Sequence, residues 1–180
     1  MNTVNQVPLK DATAEKHKMA ERMPFNVRMF KGELSKADYL LYLHQQYAIF
    51  KAIEDKGVPH ISLNRCTPVL ADIAEIEAEG IKNAEILSST KKYATHLENL
   101  NPETVLPHVY LNYLAIVFGG QMIRKKVPSA GKMYDFDNMH EAVASIRAVQ
   151  KDEWADEANS GFDFLIEIFR ELQDKTAPSA

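Results

Sequence analysis

The 180-residue chain is long enough for one domain with its own core, and its 21 Lys and Arg residues against 25 Asp and Glu residues give a formal net charge of −4. Because the basic residues are scattered, the concentrated positive charge of a nucleic-acid-binding protein is missing, and that class of partner is excluded. The single cysteine, Cys66, cannot form an internal disulfide, and neither a signal peptide nor a membrane span is predicted, so we expect a cytoplasmic protein, and a monomer.

Apolar residues recur at helical spacing, and strand-like alternation is hard to find, so the sequence predicts an all-α fold. A first helix should run over about 9–22, before Pro24, and a short second helix should end at Gly32. Ser35 is placed to cap a long third helix, which Gly57 ends. Five further helices follow, at about 67–79, 89–100, 107–126, 139–151 and 154–172.

These eight helices predict a single domain over 9–174. We expect the polar N-terminus, 1–8, and the tail, 175–180, to be flexible. The sequence contains no internal repeat and no composition shift that would mark a second domain.

His17 is the first residue that could carry chemistry. It lies in LKDATAEKHKMAE on an amphipathic first helix, where Thr13 and Ala20 share its face and leave room for a flat ligand. A lone histidine is more often a surface or core residue than a metal ligand. The position of His17 alone therefore favours a surface or core role over metal binding.

Two glycines, Gly119 and Gly120, interrupt an otherwise apolar helix in YLNYLAIVFGGQMIRKK. Glycine costs about 1 kcal/mol relative to alanine inside a helix, so something should require the pair. The pair could let the backbone approach a ligand, could bend the helix, or could allow tight packing against another helix. The sequence does not choose among these interpretations.

Arg147 and Lys151 are four residues apart on the predicted seventh helix, where they could bind two carboxylates from one face. A solvated helix surface is the usual explanation of such a pair. The sequence contains no phosphate-binding loop, no H-E-x-x-H, no G-x-S-x-G and no E-x-x-H repeat, which argues against nucleotide, hydrolase and di-iron chemistry.

Taken together, these segments resemble heme oxygenases of the mammalian and cyanobacterial type over 9–172. LKDATAEKHKMAE resembles the family's first helix, and HVYLNYLAIVFGGQMIRKK is similar to its distal helix, whose usual core reads Y-L-G-D-L-S-G-G-Q. The resemblance implies about eight helices, with heme held between the first helix and a kinked distal helix. It also implies oxidative cleavage of heme to biliverdin, carbon monoxide and iron, with O2 as co-substrate and electrons from a ferredoxin or an NADPH-dependent reductase.

The resemblance also implies roles for individual residues. His17 is implied as the iron ligand, Lys10 as a basic residue near a propionate, and Phe162 as a wall of the heme pocket. Gly119 and Gly120 are implied to lie over the iron. An ungapped alignment puts Ile146 and Gln150 at the family's propionate-binding positions, whereas a shift of one residue puts Arg147 and Lys151 there, and we prefer the shift.

The sequence departs from the family's pattern on the distal side. Ile116 stands in the place of the motif's aspartate, Phe118 in that of its serine, and Asn112 in that of an arginine. Phe50 also replaces a tyrosine. Joint loss of these polar groups indicates a drier distal pocket, unless water is ordered in a different way by Tyr110, Asn112 or Gln121, with a contribution from backbone groups near Gly119 and Gly120.

Three functions remain open. The first is a heme oxygenase, with or without an altered rate or regiochemistry, and the second is a non-catalytic protein that stores, senses or transfers heme or a related tetrapyrrole. The third is different chemistry on the same architecture, as in thiamin-degrading or di-iron relatives, for which Asp137 and His140 are the suggestive residues. Both sit at a predicted helix start and are better explained as part of a cap.

Overall fold

A computed structural model describes residues 7–176, and within them it contains α-helices and short 3-10 helices but no strand. The predicted all-α class is confirmed. The predicted flexible ends, 1–8 and 175–180, fall mostly on residues 1–6 and 177–180, which lie outside the described part of the chain. Among the described residues, no helix is long and apolar enough to cross a membrane.

The α-helices of the described residues are α1 Leu9–Ala12, α2 Ala14–Glu21, α3 Pro24–Phe30, α4 Lys36–Glu54, α5 Cys66–Glu77, α6 Ser88–Glu98, α7 Leu106–Ile123, α8 Met139–Val149 and α9 Ala155–Thr176. Three 3-10 helices connect them, at Ile61–Leu63, Lys132–Tyr134 and Asp152–Trp154.

Side-chain caps start two of the helices where the sequence predicts. The Ser35 hydroxyl accepts the Asp38 backbone N–H at 3.1 Å, and the Asn138 side chain accepts that of Glu141 at 3.1 Å. Each bond satisfies an N–H group that has no partner within its helix. Gly32, with φ of 73°, turns the chain after α3 as expected.

The predicted first helix is divided in two. Thr13 has φ of −105° and ψ of −2°, and its hydroxyl donates to the Leu9 carbonyl at 2.9 Å. A threonine bond to the carbonyl four residues earlier competes with helix geometry and bends the backbone. The expectation of one continuous helix over 9–22 was therefore wrong at this residue, although His17 still follows on α2 in the next turn.

Helix α9 lies at the centre of the packing, where it contacts α2, α3, α4, α6 and α7, while α4 packs against α5 and α6. The core between them is apolar and aromatic, and its fully buried members include Leu43, Phe50, Tyr93 and Tyr113. Such close packing fixes the helices that carry the site.

A buried arginine holds the segment that follows α7. The Arg65 guanidinium donates to the carbonyls of Met133 and Asp135 at 3.0 and 2.8 Å, and the Asp72 carboxylate accepts the backbone N–H groups of Lys132 and Met133. These charge-assisted bonds fix the 3-10 helix Lys132–Tyr134 against α5. Tyr134 is thereby placed beside α7.

Candidate functional site

A cavity of about 470 Å³ lies between α1, α2 and α7, with further walls from α3, α4, α8 and α9. This volume is in the range of pockets that bind cofactors and drug-sized ligands, and most of the lining side chains are apolar or aromatic. The polar side chains that line the cavity come from α1, α2, α3, α4, α7 and α8 and from the segment after α7, and they include His17, Asn112 and Arg147.

His17 lines the cavity from α2. Its ring stacks on that of Phe162 from α9, with centroids 5.6 Å apart, and its Nε2 lies 3.0 Å from the Glu21 carboxylate one turn further on. The imidazole is 52% exposed, so it can turn towards the cavity. A histidine with a carboxylate on one ring nitrogen can offer the other to a metal ion, because that contact fixes its tautomer and orientation.

Gly119 and Gly120 face different surroundings. A Cβ atom added to Gly119 would meet nothing within 4 Å, and Gly119 lines the cavity. A Cβ atom on Gly120 would lie 2.5 Å from Cδ1 of Tyr134, which is buried. Gly119 thus leaves open space at the cavity, whereas Gly120 allows close packing of α7 on Tyr134.

Asn112 connects the cavity wall to a hydrogen-bonded network. Its side-chain nitrogen donates to the Tyr93 hydroxyl at 3.0 Å and to the His108 carbonyl at 2.9 Å. The Tyr93 hydroxyl lies 2.7 Å from His108 Nδ1, and His108 Nε2 lies 2.7 Å from the Glu157 carboxylate. His96 also reaches Glu157, at 2.6 Å.

This network determines the protonation of His108. Because Tyr93 accepts from Asn112, its own hydroxyl is free to donate to His108 Nδ1, which leaves the proton of the neutral ring on Nε2 to be donated to Glu157. Burial lowers the pKa of His108. Burial alone would raise the pKa of Glu157, but the bonds from His108 and His96 outweigh it and lower that pKa.

His96, His108 and Glu157 also bring potential metal-ligand atoms within 4.8 Å of one another. The hydrogen bonds between them account for this closeness. Metal binding at Nε2 of His108 would move its proton to Nδ1 and leave the Tyr93 hydroxyl without an acceptor. The three residues are therefore better described as a structural network than as a metal centre.

Arg147 and Lys10 bring positive charge to the cavity from α8 and α1. The Arg147 guanidinium lies 5.9 Å from the ring centroid of Phe118, over its face, and donates to the Gln150 side chain at 2.6 Å. Both basic groups can pair with carboxylates of a ligand.

Lys151 does not share a helix face with Arg147, which corrects our expectation. Helix α8 ends at Val149, and Gln150 and Lys151 have extended backbone. Just beyond these residues, the Asp152 carboxylate accepts the Leu9 backbone N–H at 2.9 Å, which docks this connection on α1. Lys151 instead lies 3.8 Å from Glu103, away from the cavity.

Comparison with known proteins identifies the family. A sequence profile described as heme oxygenase matches residues 5–171, nearly the whole chain. The chain belongs to the heme oxygenase family.

Relatives in the family differ widely from this chain in sequence. Heme oxygenase 1 of Gallus gallus is 27% identical over an alignment that covers 95% of this chain and 70% of the relative. A Synechocystis heme oxygenase-1, solved in complex with heme, aligns with a TM-score of 0.77 and 21% identity over 93% of this chain and 91% of that chain. The heme oxygenase of Leptospira interrogans aligns with the same TM-score, 20% identity and coverage of 91% and 97%. These structures confirm the predicted fold.

Eight of the ten site residues that the sequence singled out line the one cavity, namely Lys10, His17, Tyr110, Asn112, Ile116, Gly119, Arg147 and Phe162. Gly120 and Lys151 lie outside it. Sequence reasoning missed Tyr42, Gln46 and Tyr134, which line the cavity from α4 and from the segment after α7. Tyr42 and Gln46 are four residues apart on one helix face, a spacing that could have drawn attention to them.

Proposed function

We propose that this protein is a heme oxygenase that opens heme oxidatively to biliverdin, carbon monoxide and iron. The observation that carries the proposal is the placement of His17 and Gly119 in the walls of one apolar cavity, a histidine on α2 and an open backbone surface on α7. A flat macrocycle needs an imidazole for its iron and space without side chains above its plane, and these residues provide both.

His17 would hold the iron of heme. For this, the ring turns so that one nitrogen faces the cavity while the other donates to Glu21, and Phe162 supports it by stacking. Bound heme supplies the redox chemistry with O2, and a ferredoxin or an NADPH-dependent reductase would supply the electrons. The proposed enzyme acts as a monomer.

Lys10 and Arg147 would pair with the two propionates of heme. Both side chains line the cavity, and ion pairs with carboxylates at its mouth would fix the rotation of the macrocycle about its axis. Lys151 would have no part in this, since it lies near Glu103.

The distal wall on α7 is largely apolar. Nine α7 residues line the cavity, and only Tyr110 and Asn112 among them carry a hydrogen-bonding side chain. The amide nitrogen of Asn112 is already committed to Tyr93 and His108. Ile116 and Gly119 would therefore exclude bulk water and shape the space beside the macrocycle without moving protons themselves.

A second candidate function is favoured by this apolar wall. A protein that only stores, senses or transfers heme would need the iron ligand and the walls but no route for protons. In that case the heme complex would persist in the presence of a reductant and oxygen.

Substitution of His17 tests the proposed site. One equivalent of hemin should give a Soret band in the wild-type protein, and His17→Ala should weaken or abolish that band while leaving the helical circular dichroism unchanged. His140→Ala, at an exposed histidine outside the cavity, is the matched control and should bind hemin normally. Equal hemin binding by all three proteins would exclude His17 as the ligand.

A further inference from the structure

The side chains of Phe118 and Arg147 meet at the cavity, where α7 packs against α8. The Arg147 guanidinium lies over the face of the Phe118 ring, with its central carbon 5.9 Å from the ring centroid. At this distance a positive charge is attracted by the negative face of an aromatic ring. The guanidinium is therefore held by a side chain of α7.

The end of α8 holds the same guanidinium from another side. Its Nη1 donates to the Gln150 side chain at 2.6 Å, just beyond Val149, the last residue of the helix. Arg147 also lies in the last turn of α8, where the helix dipole favours a cation. Two neighbours on different elements thus restrict a long and exposed side chain.

The charge of Arg147 is not neutralised by a carboxylate of the described residues. Three other arginines in this part of the chain form ion pairs with carboxylates, whereas Arg147 forms none. A guanidinium carries five N–H donors, and the bond to Gln150 uses one of them. An aromatic face and a neutral amide leave the positive charge in place, so the group stays available to a carboxylate of a ligand.

Burial does not explain the aromatic residue at position 118. Phe118 is 60% exposed although it is large and apolar. It stands where the family's distal motif has a serine, which offers no ring to a cation. The substitution that removes a polar group from α7 thus adds a support for the cation on α8.

We propose that Phe118 is a positioning residue, whose ring holds the Arg147 guanidinium at the cavity in the orientation that pairs with one carboxylate of the ligand. The role rests on the proposed function, in which Arg147 meets a propionate of heme. Ordering a flexible side chain on binding weakens affinity about two- to tenfold, and a guanidinium that is already held avoids most of that loss.

The NMR signal of the Arg147 Nε–H group tests the contact in the ligand-free protein. The signal is assigned by its loss in Arg147→Lys, and the ring current of an aromatic face shifts a proton above it upfield. We expect this shift in the wild-type protein and in Phe118→Tyr, which keeps the ring, and its loss in Phe118→Leu. An Nε–H signal at the same position in wild type and Phe118→Leu would overturn the contact.

Hemin titration tests what the contact does for binding. Phe118→Leu should weaken hemin binding about two- to tenfold in the otherwise wild-type protein but should have no effect in Arg147→Ala. Phe118→Tyr should bind hemin as the wild-type protein does. Met122→Leu, at an exposed α7 residue outside the cavity, is the matched control and should also bind normally. Equal weakening by Phe118→Leu with and without Arg147 would overturn the proposal, because the ring would then act on the ligand by itself.

Hemin dimethyl ester, in which both carboxylates are blocked, separates this role from other effects of the ring. Phe118→Leu should leave the affinity for the ester unchanged, and an equal loss of affinity for hemin and its ester would overturn the pairing with a carboxylate. Absence of hemin binding by the wild-type protein would overturn the proposed function, and with it this role, while the NMR result for the contact would stand.

Discussion

Gly119 and Gly120 are adjacent in α7, but a Cβ atom added to each of them would meet different surroundings. The sequence predicted that a glycine pair in an apolar helix must serve something, and it left ligand approach and packing open. In the structure each glycine serves one of these purposes, since Gly119 lies at the cavity and Gly120 against Tyr134. Adjacent residues point about 100° apart on a helix, so only the tertiary neighbours could separate the two roles.

Substitution of each glycine should therefore have a different effect. Gly119→Leu should keep the fold but block hemin binding, because its side chain would extend into the cavity. Gly120→Ala should lower the free energy of unfolding, since overpacking costs about 1–3 kcal/mol against the roughly 1 kcal/mol gained by replacing a helical glycine. Urea denaturation and hemin titration measure both effects. Hemin binding by Gly119→Leu at wild-type affinity would contradict this assignment.

His108 should make stability depend on pH. Its native pKa is lowered by burial, so below about pH 6.5 the unfolded chain takes up a proton that the native state does not. The free energy of unfolding should then fall with decreasing pH, by up to about 1.4 kcal/mol per pH unit, until the native ring is protonated.

A histidine variant isolates this contribution. His108→Gln should be less stable than the wild-type protein at pH 7 but should lose less stability between about pH 7 and pH 5, as measured by urea denaturation at each pH. His140→Gln should keep the wild-type dependence. A pH dependence that survives unchanged in His108→Gln would show that other groups cause it.

At the scale of elements, helix starts were predicted better than helix ends. Ser35 and Asn138 cap their helices through local bonds that the sequence specifies within three residues. The connection after α8 is held by Asp152, whose carboxylate accepts the backbone N–H of Leu9, 143 positions away in the sequence. No local pattern contains such a long-range contact, and the sequence predicted this helix too long.

The contact between Asp152 and α1 should matter for the site as well as for stability. Asp152→Ala removes the acceptor for the first N–H of α1, which should cost about 1 kcal/mol and loosen the segment that carries Lys10. We expect lower stability and weaker hemin binding than in Glu153→Ala, where the replaced carboxylate is exposed. Identical stability of the two variants would show that Asp152 does not anchor α1.

At the scale of the whole molecule, the all-α fold and most of the cavity could be predicted, because the segments around His17 and Gly119 resemble the family's and occur in the same order. The polar side chains of Tyr42 and Tyr134 in the cavity wall could not be predicted. Tyr42 and Tyr134 come from segments far apart in sequence, and each alone has the pattern of an ordinary core aromatic residue. They come close only through tertiary packing, in which Arg65 and Asp72 hold the segment that carries Tyr134 in place.

The central claim is that this cavity supports turnover of heme, and an absorption time course tests it most directly. The purified protein would be mixed with one equivalent of hemin and then supplied, in air, with ascorbate or a ferredoxin and its reductase. We predict that the Soret band decays as the spectrum of biliverdin appears, and that His17→Ala shows no such conversion. A heme complex that forms and then persists through reduction would contradict the oxygenase and leave a heme-binding protein on this fold.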